Sequence, residues 1–238
     1  MNLLLLEPGE RLLARNDARA HHIRRVLGLA PGGRLRAGEI DGAIGIASIV
    51  SDTDRGIELE FARDTDPPAL PPVELLLGHP RPIVLRRLLR DLTAIGPSRI
   101  IVTPTELGER SYYDANLWRD VRTPMLEGAS QGGTTRLPEL VRSSSLPEAV
   151  RSLNAGRDRR LVLHPESGAR LLSTTVPVSG TQWQAVAVGS ERGWTDEELA
   201  TLTEAGFLPR TLGKRVLRTE TAAAIAAWVA CSWYDNWS

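Results

Sequence analysis

The chain has 238 residues, with 29 basic and 29 acidic side chains and therefore no net charge at pH 7. That length accommodates one large domain or two small ones with an ordinary core, and the single cysteine, Cys231, excludes an internal disulfide or a cysteine cluster for zinc. The longest apolar run, Thr221 to Cys231, is shorter than the ~20 residues a membrane helix needs, and Met1 to Pro8 lacks the basic segment that opens a signal peptide. A cytoplasmic protein with no membrane or metal partner is expected.

Basic charge is unevenly placed. Residues 11–36 hold seven arginines (11, 15, 19, 24, 25, 34 and 36) against one acid, Asp17, with His21 and His22 among them. Arginine forks suit phosphate and guanine edges, so Arg11, Arg15, Arg19, His22, Arg24 and Arg25 are candidate RNA contacts. In the same stretch Ala20, Ile23, Val26 and Leu27 recur at helical spacing up to Gly28, a plausible C-terminal cap. Ile44, Ile46 and Val50 then share one parity, and Ile57, Leu59 and Phe61 alternate with Glu58 and Glu60. That period of two predicts half-buried antiparallel strands. Pro67 to Pro72 reads as a stiff linker, which closes a small β-rich domain over residues 1–68.

Beyond the linker, strands and helices alternate. Val73 to Leu77 is a strand, and Leu85, Leu88, Leu89, Leu92 and Ile95 form a helical stripe closed by Gly96-Pro97. Arg99 to Val102 is the next strand, and Ser145 with Glu148 makes a capping box. Leu161 to Leu163 and Trp183 to Val188 are further apolar runs. Continuous apolar strands separated by helices predict a parallel sheet covered on both faces, hence an α/β domain over residues 73–238.

Ligands of such sheets sit at the carboxyl ends of the strands. Gly189-Ser190-Glu191-Arg192-Gly193-Trp194 follows one strand directly, and Thr195 with Glu198 forms a capping box that opens the next helix. Glycines let a ligand approach backbone N–H groups closely. Leu212-Gly213-Lys214-Arg215-Val216-Leu217-Arg218-Thr219-Glu220-Thr221-Ala222 is a second such loop, with Thr219 as candidate cap of an Ala-rich helix. His164 to Gly168 is a third. Gly128-Ala129-Ser130-Gln131-Gly132 matches G-x-S-x-G, but a helical stretch precedes it where a nucleophile elbow needs a strand. There is no P-loop and no G-x-G-x-x-G fingerprint.

The two glycine loops together resemble the signature of the RsmE family, S-adenosylmethionine-dependent enzymes that methylate N3 of a uridine in 16S ribosomal RNA. L-G-x-R-x-L-R-T-E-T-A is retained from Leu212 to Ala222, and His22-Ile-Arg-Arg-Val-Leu27, Glu109-Arg110-Ser111 and Arg136-Leu-Pro-Glu139 agree more weakly. Elsewhere the chain departs from the family pattern. Ser190 and Arg192 replace a proline and a glycine, Asp91 to Gly96 replaces Lys-Ala-Thr-Glu-Leu-Gly, and Ser130 to Thr134 keeps only Gln131 of Glu-Gln-Ser-x-Arg. The substrate-side segments have therefore drifted further than the cofactor motif.

The resemblance implies a PUA-like β-barrel for RNA, then a SPOUT α/β domain with a C-terminal trefoil knot, acting as a homodimer. It implies S-adenosylmethionine bound by Leu163, His164, Gly189, Glu191, Gly193, Leu212, Gly213, Val216, Leu217, Arg218, Thr219, Thr221 and Ala222. Arg218 would stabilise charge on a uracil carbonyl, and Glu191 or Glu220 would take the N3 proton or else only orient its loop. Two other readings stay open: a SPOUT methyltransferase for another base or a ribose hydroxyl, and an RNA-binding homologue without catalysis.

Overall fold

The computed structural model describes residues 2–113, 116–156, 159–165, 169–174 and 182–234. They form two compact units, residues 1–68 with 126–137, and 69–125 with 138–238.

The first unit is a five-stranded mixed sheet. Its strands are β1 (Leu4–Leu6), β2 (Leu12–Ala14), β3 (Arg34–Glu39), β4 (Ile44–Thr53) and β5 (Gly56–Thr65), in the order β1-β3-β4-β5-β2. β3, β4, β5 and β2 pair antiparallel, whereas β1 joins β3 in parallel. Leu4, Leu6, Leu13, Ala20, Ile23, Ala47, Ile49, Ile57 and Leu59 are buried together. The expected face of β4 is corrected. Gly45, Ala47 and Ile49 point into the core, whereas Ile44 and Ile46 are only half-buried and Val50, on their parity, is 52% exposed.

The expected helix before these strands is also interrupted. Helix α1 (Ala18–His22) passes into a π-helical turn, Ile23–Leu27, which ends at Gly28 with φ 63°. The wider turn rotates Val26 and Leu27 outward, to 66% and 40% exposure, while Ala20 and Ile23 stay in the core.

Residues 126–137 pack with this unit, which periodicity did not indicate. Ala129 lies buried against Leu3, Leu5 and Ile40. Ser130 Oγ donates to Leu3 O, and Thr135 Oγ1 donates to Gly42 O. Gly38 is required here, since a Cβ would stand 2.3 Å from the Thr135 methyl.

The second unit is a seven-stranded, wholly parallel sheet in the order β10-β12-β9-β11-β6-β7-β8. The strands are β6 (Val73–Gly78), β7 (Arg99–Thr103), β8 (Glu139–Arg142), β9 (Arg160–Leu163), β10 (Arg170–Leu171), β11 (Gln184–Val188) and β12 (Phe207–Thr211). Its helices are α2 (Pro82–Ile95), α3 (Arg110–Tyr113), α5 (Leu146–Arg151), α6 (Asp196–Glu204) and α7 (Thr219–Cys231), while α4 (Arg122–Gly132) has residues 122–125 in this unit and 126–132 in the first. α4 contains the G-x-S-x-G match, so Ser130 sits in a helix and is no nucleophile elbow.

Helices cover both faces, as the continuous apolar strands require. α7 packs against α2, β6 and β11. On the other face Leu146, Val150 and Leu202 bury against Leu76, Ile101, Val162, Ala185 and Phe207. The amino edge is tied by one carboxylate. Fully buried Glu74 pairs with Arg99 and accepts from Asn154 N and Ala155 N, both at 2.9 Å. The opposite, carboxyl edge carries the loops.

Candidate active site

The loop after β11 is drawn into a tight hairpin. Gly193 N donates to Ser190 O at 2.9 Å, with φ 75° at Gly193. Gly189 has no room for a side chain, because a Cβ would stand 2.8 Å from Gly193 Cα and C. The predicted capping box then closes in both directions. Glu198 N donates to Thr195 Oγ1 at 3.2 Å, and Thr195 N donates to Glu198 Oε2 at 2.9 Å. The second loop leaves β12 through Thr211, whose hydroxyl accepts from Gly213 N at 3.2 Å. Gly213 has φ 125°, a region that L side chains rarely adopt. Thr219 is not the cap expected for the next helix; it is the first residue of α7 and buried, and Arg218 is the N-cap without a side-chain bond.

His164 N donates to Arg210 O at 3.0 Å and joins the third loop to the second. Glu166, Ser167 and Gly168 of that loop lie outside the described residues. Together the loops enclose a cavity of about 780 Å³ at the carboxyl edge of β9, β11 and β12. Every residue named for the cofactor lines it except Thr221, which is exposed on the first turn of α7 and directed elsewhere.

Sequence reasoning missed part of the lining. Arg81, Val84, Arg210 and Arg215 belong to it, and with Arg192 and Arg218 they set five arginines against Glu191 and Glu220. Arg81-Pro82 was findable, since proline just inside a helix that follows a strand marks a loop at this edge. Glu191 is held there. Its Oε1 accepts from Arg81 N at 2.9 Å, which ties the glycine hairpin to the start of α2. Glu220 lies in the first turn of α7.

Four of the candidate arginines are paired with acids, Arg19 with chain neighbours and Arg11, Arg15 and Arg24 with acids on or beside distant strands. Arg11 bonds Glu39 at 3.1 Å, Arg19 bonds Glu10 and Asp17 at 2.7 Å, and Arg24 bonds Asp52 at 2.6 Å. Arg15 pairs with Asp54. Four of the seven clustered arginines are thus paired in three dimensions, and Arg25, Arg34 and Arg36 make no ion pair among the described residues. Arg25 is exposed, and His22 Nε2 is buried without a partner among the described residues.

Comparison with known proteins agrees with this architecture. The family model for an RNA methyltransferase domain matches residues 67–230. Ribosomal RNA small subunit methyltransferase E of Treponema pallidum is 36% identical, over 100% of this chain and 93% of that protein. Ribosomal RNA small subunit methyltransferase E 1 of Borreliella burgdorferi is 27% identical over 98% of each. Two solved structures share the fold at 22% identity and a TM-score of 0.78, each covering 98% of both chains. They are a methyltransferase from Legionella pneumophila and the small subunit methyltransferase E of Neisseria gonorrhoeae, both with S-adenosylmethionine bound. A mixed sheet of PUA-like type with a SPOUT-type parallel sheet, glycine loops at the carboxyl edge, and 36% identity over the full chain lead to one assignment: the chain belongs to the ribosomal RNA small subunit methyltransferase E family.

Proposed function

We propose that this protein transfers a methyl group from S-adenosylmethionine to N3 of a uridine in 16S ribosomal RNA. The observation that carries the reading is the cavity of about 780 Å³ built by the two glycine loops that bear the family signature.

The residues present fit the cofactor. Leu163, Val188, Leu212 and Leu217 give apolar walls for an adenine ring. A Cβ on Gly193 or on Gly213 would meet nothing within 4 Å, so there is open space for a ligand at both the hairpin and the second loop. The arginines around the rim suit a carboxylate and an approaching phosphate backbone. When bound, the cofactor supplies an electrophilic methyl carbon on a sulfonium centre.

The chain's own residues do the rest. His164, Gly193, Val216, Thr219 and Ala222 complete the wall that orients the donor and excludes water. Arg218, exposed at the start of α7, is placed to stabilise negative charge on a uracil carbonyl. The N3 proton must leave as the new N–C bond forms. Glu220 is the carboxylate assigned to it, because Glu191 is already engaged by Arg81 N and holds the loop.

The same reading gives RNA binding to residues 1–68, where Arg25 is exposed and outside any ion pair among the described residues, and catalysis to residues 73–238, including the trefoil knot the resemblance implies. It also includes a homodimer in the cytoplasm. Ile225 at 39% and Trp228 at 54% exposure leave apolar surface on α7 that a second copy would cover. Among the described residues no helix is long and apolar enough to cross a membrane.

Calorimetry with S-adenosylmethionine and transfer of its labelled methyl group to 16S ribosomal RNA test the proposal. Saturable binding and label in the RNA are expected. No binding, or binding without transfer to either free RNA or assembled subunits, would refute it.

A further inference from the structure

A second cavity, of about 650 Å³, opens at the carboxyl edge of β6, β7 and β8. A packed wall separates it from the donor cavity of about 780 Å³. At Gly78 a Cβ would stand 2.7 Å from both Ser190 N and the Thr105 methyl, and the buried hydroxyls of Thr105 and Ser190 are 3.4 Å apart. The back of the glycine hairpin therefore rests on the loop after β7, none of whose described residues lines the donor cavity.

Glu198 joins the same two segments from the far side of that wall. It is 5% exposed and lines the second cavity from α6. The capping box occupies one carboxylate oxygen, Oε2, with Thr195 N at 2.9 Å. The other, Oε1, accepts from Glu106 N at 2.9 Å, a bond across 92 positions of sequence that a helix cap does not require. Thr195 Oγ1 returns the link by donating to Glu106 Oε2 at 2.8 Å. Only the buried Trp194 stands between Thr195 and Gly193. The hairpin is thus tied twice, its tip to the start of α2 through Glu191 and its outgoing end to the loop after β7 through Glu198. A buried carboxylate is costly unless its oxygens are bonded, and both are bonded here only while hairpin and loop lie side by side.

We infer that Glu198 is a positioning residue for S-adenosylmethionine: without touching the cofactor, it holds the hairpin from Gly189 to Gly193 closed by clasping it to the loop after β7. This rests on the function proposed above and adds how the donor site is kept formed before the cofactor arrives. With the clasp broken, the hairpin is closed in only a fraction of free molecules, and the apparent affinity falls by that fraction. Saturating cofactor closes the hairpin again, so turnover recovers.

Glu198→Ala tests the clasp. Kd and KM for S-adenosylmethionine should rise roughly 10-fold, while kcat at saturating cofactor stays within about twofold of wild type. A defect of folding alone gives the opposite split, a lower kcat from fewer active molecules with KM unchanged, and that result would overturn the inference. Leu202→Ala, on the buried face of the same helix, is the control. It should lower the melting temperature without moving KM, and an equal rise in KM would assign the effect to α6 at large and overturn the inference. Wild-type Kd and KM in a folded Glu198→Ala protein would also overturn it and leave the methyltransferase reading standing. Should that variant not fold, Glu106→Ala decides. Loss of the acceptor for the Thr195 hydroxyl should raise Kd about fivefold, and Glu106→Gln, whose side-chain carbonyl still accepts, should restore it. Equal affinity in these two variants would overturn the inference. A wild-type protein that binds no S-adenosylmethionine would overturn both readings.

Discussion

Gly189→Ala is the substitution whose effect on the donor cavity follows most directly from the structure. The added Cβ would stand 2.8 Å from Gly193 Cα and C and 3.2 Å from Trp194 N, against ordinary carbon contacts of about 3.5–4 Å. All three atoms are backbone, so no side chain can swing away. Neither end of the hairpin yields easily: β11 is paired on both sides, with β6 and β9, and Trp194 is buried. Relief must come from opening the hairpin that Gly193 N closes onto Ser190 O. Overpacking of this kind costs about 1–3 kcal/mol. If binding S-adenosylmethionine requires the closed hairpin, the whole of that strain opposes binding, which is roughly a 5- to 150-fold rise in Kd at 1.4 kcal/mol per decade. Calorimetry on the variant, with circular dichroism to confirm the fold, reads this directly. A folded Gly189→Ala protein with wild-type affinity would refute the role given to the hairpin.

Three further outcomes are expected. Glu74→Ala should destabilise the protein by about 3–5 kcal/mol in denaturant unfolding, because buried Arg99 and two backbone N–H groups lose their partner. Glu39 is held at a pKa of about 2, below its ordinary 4.5, first by Gly9 N–H and then by Arg63 and Arg11. A depressed folded pKa stabilises above the unfolded value, so that stability should drain as pH falls from 4.5 toward about 2; Glu39→Gln should flatten this part of the stability–pH curve. Arg25→Ala should lower the salt slope of RNA binding by roughly 0.7–0.9, whereas Arg24→Ala, whose guanidinium is bonded to Asp52, should change it little; equal slopes for both variants would remove Arg25 from the RNA contact.

The second unit was largely legible in the sequence, because its signals are local. The stripe from Leu85 to Ile95 became α2, closed by Gly96 at φ 92°, and Thr195 with Glu198 capped α6 as their spacing required. The glycine loops were readable for the same reason, since a strand, a bare turn and a helix follow one another along the chain. What escaped depends on partners far apart in sequence. The pairing of Arg11 and Arg24 with Glu39 and Asp52 joins residues 28 apart through the folding of the sheet, so a local count of charge overstated the free cations. The small residues Gly45 and Ala47 with Ile49, and not the larger Ile44, Ile46 and Val50, carry the core face of β4, and the π-helical turn before Gly28 moved Val26 and Leu27 to the surface. The second cavity draws on His79, Thr105, Ser145 and Glu197 from four separate segments, none of which carries a motif by itself.

The central claim is methylation of uracil N3, and nucleoside mass spectrometry of 16S ribosomal RNA tests it most directly. RNA from cells lacking this gene would be incubated with the purified protein and S-adenosylmethionine, then digested. One new 3-methyluridine per molecule is expected, absent when the cofactor is omitted and reduced with Gly189→Ala. A methyl group on a ribose hydroxyl or on another base, or none at all from a protein that binds the cofactor, would contradict it.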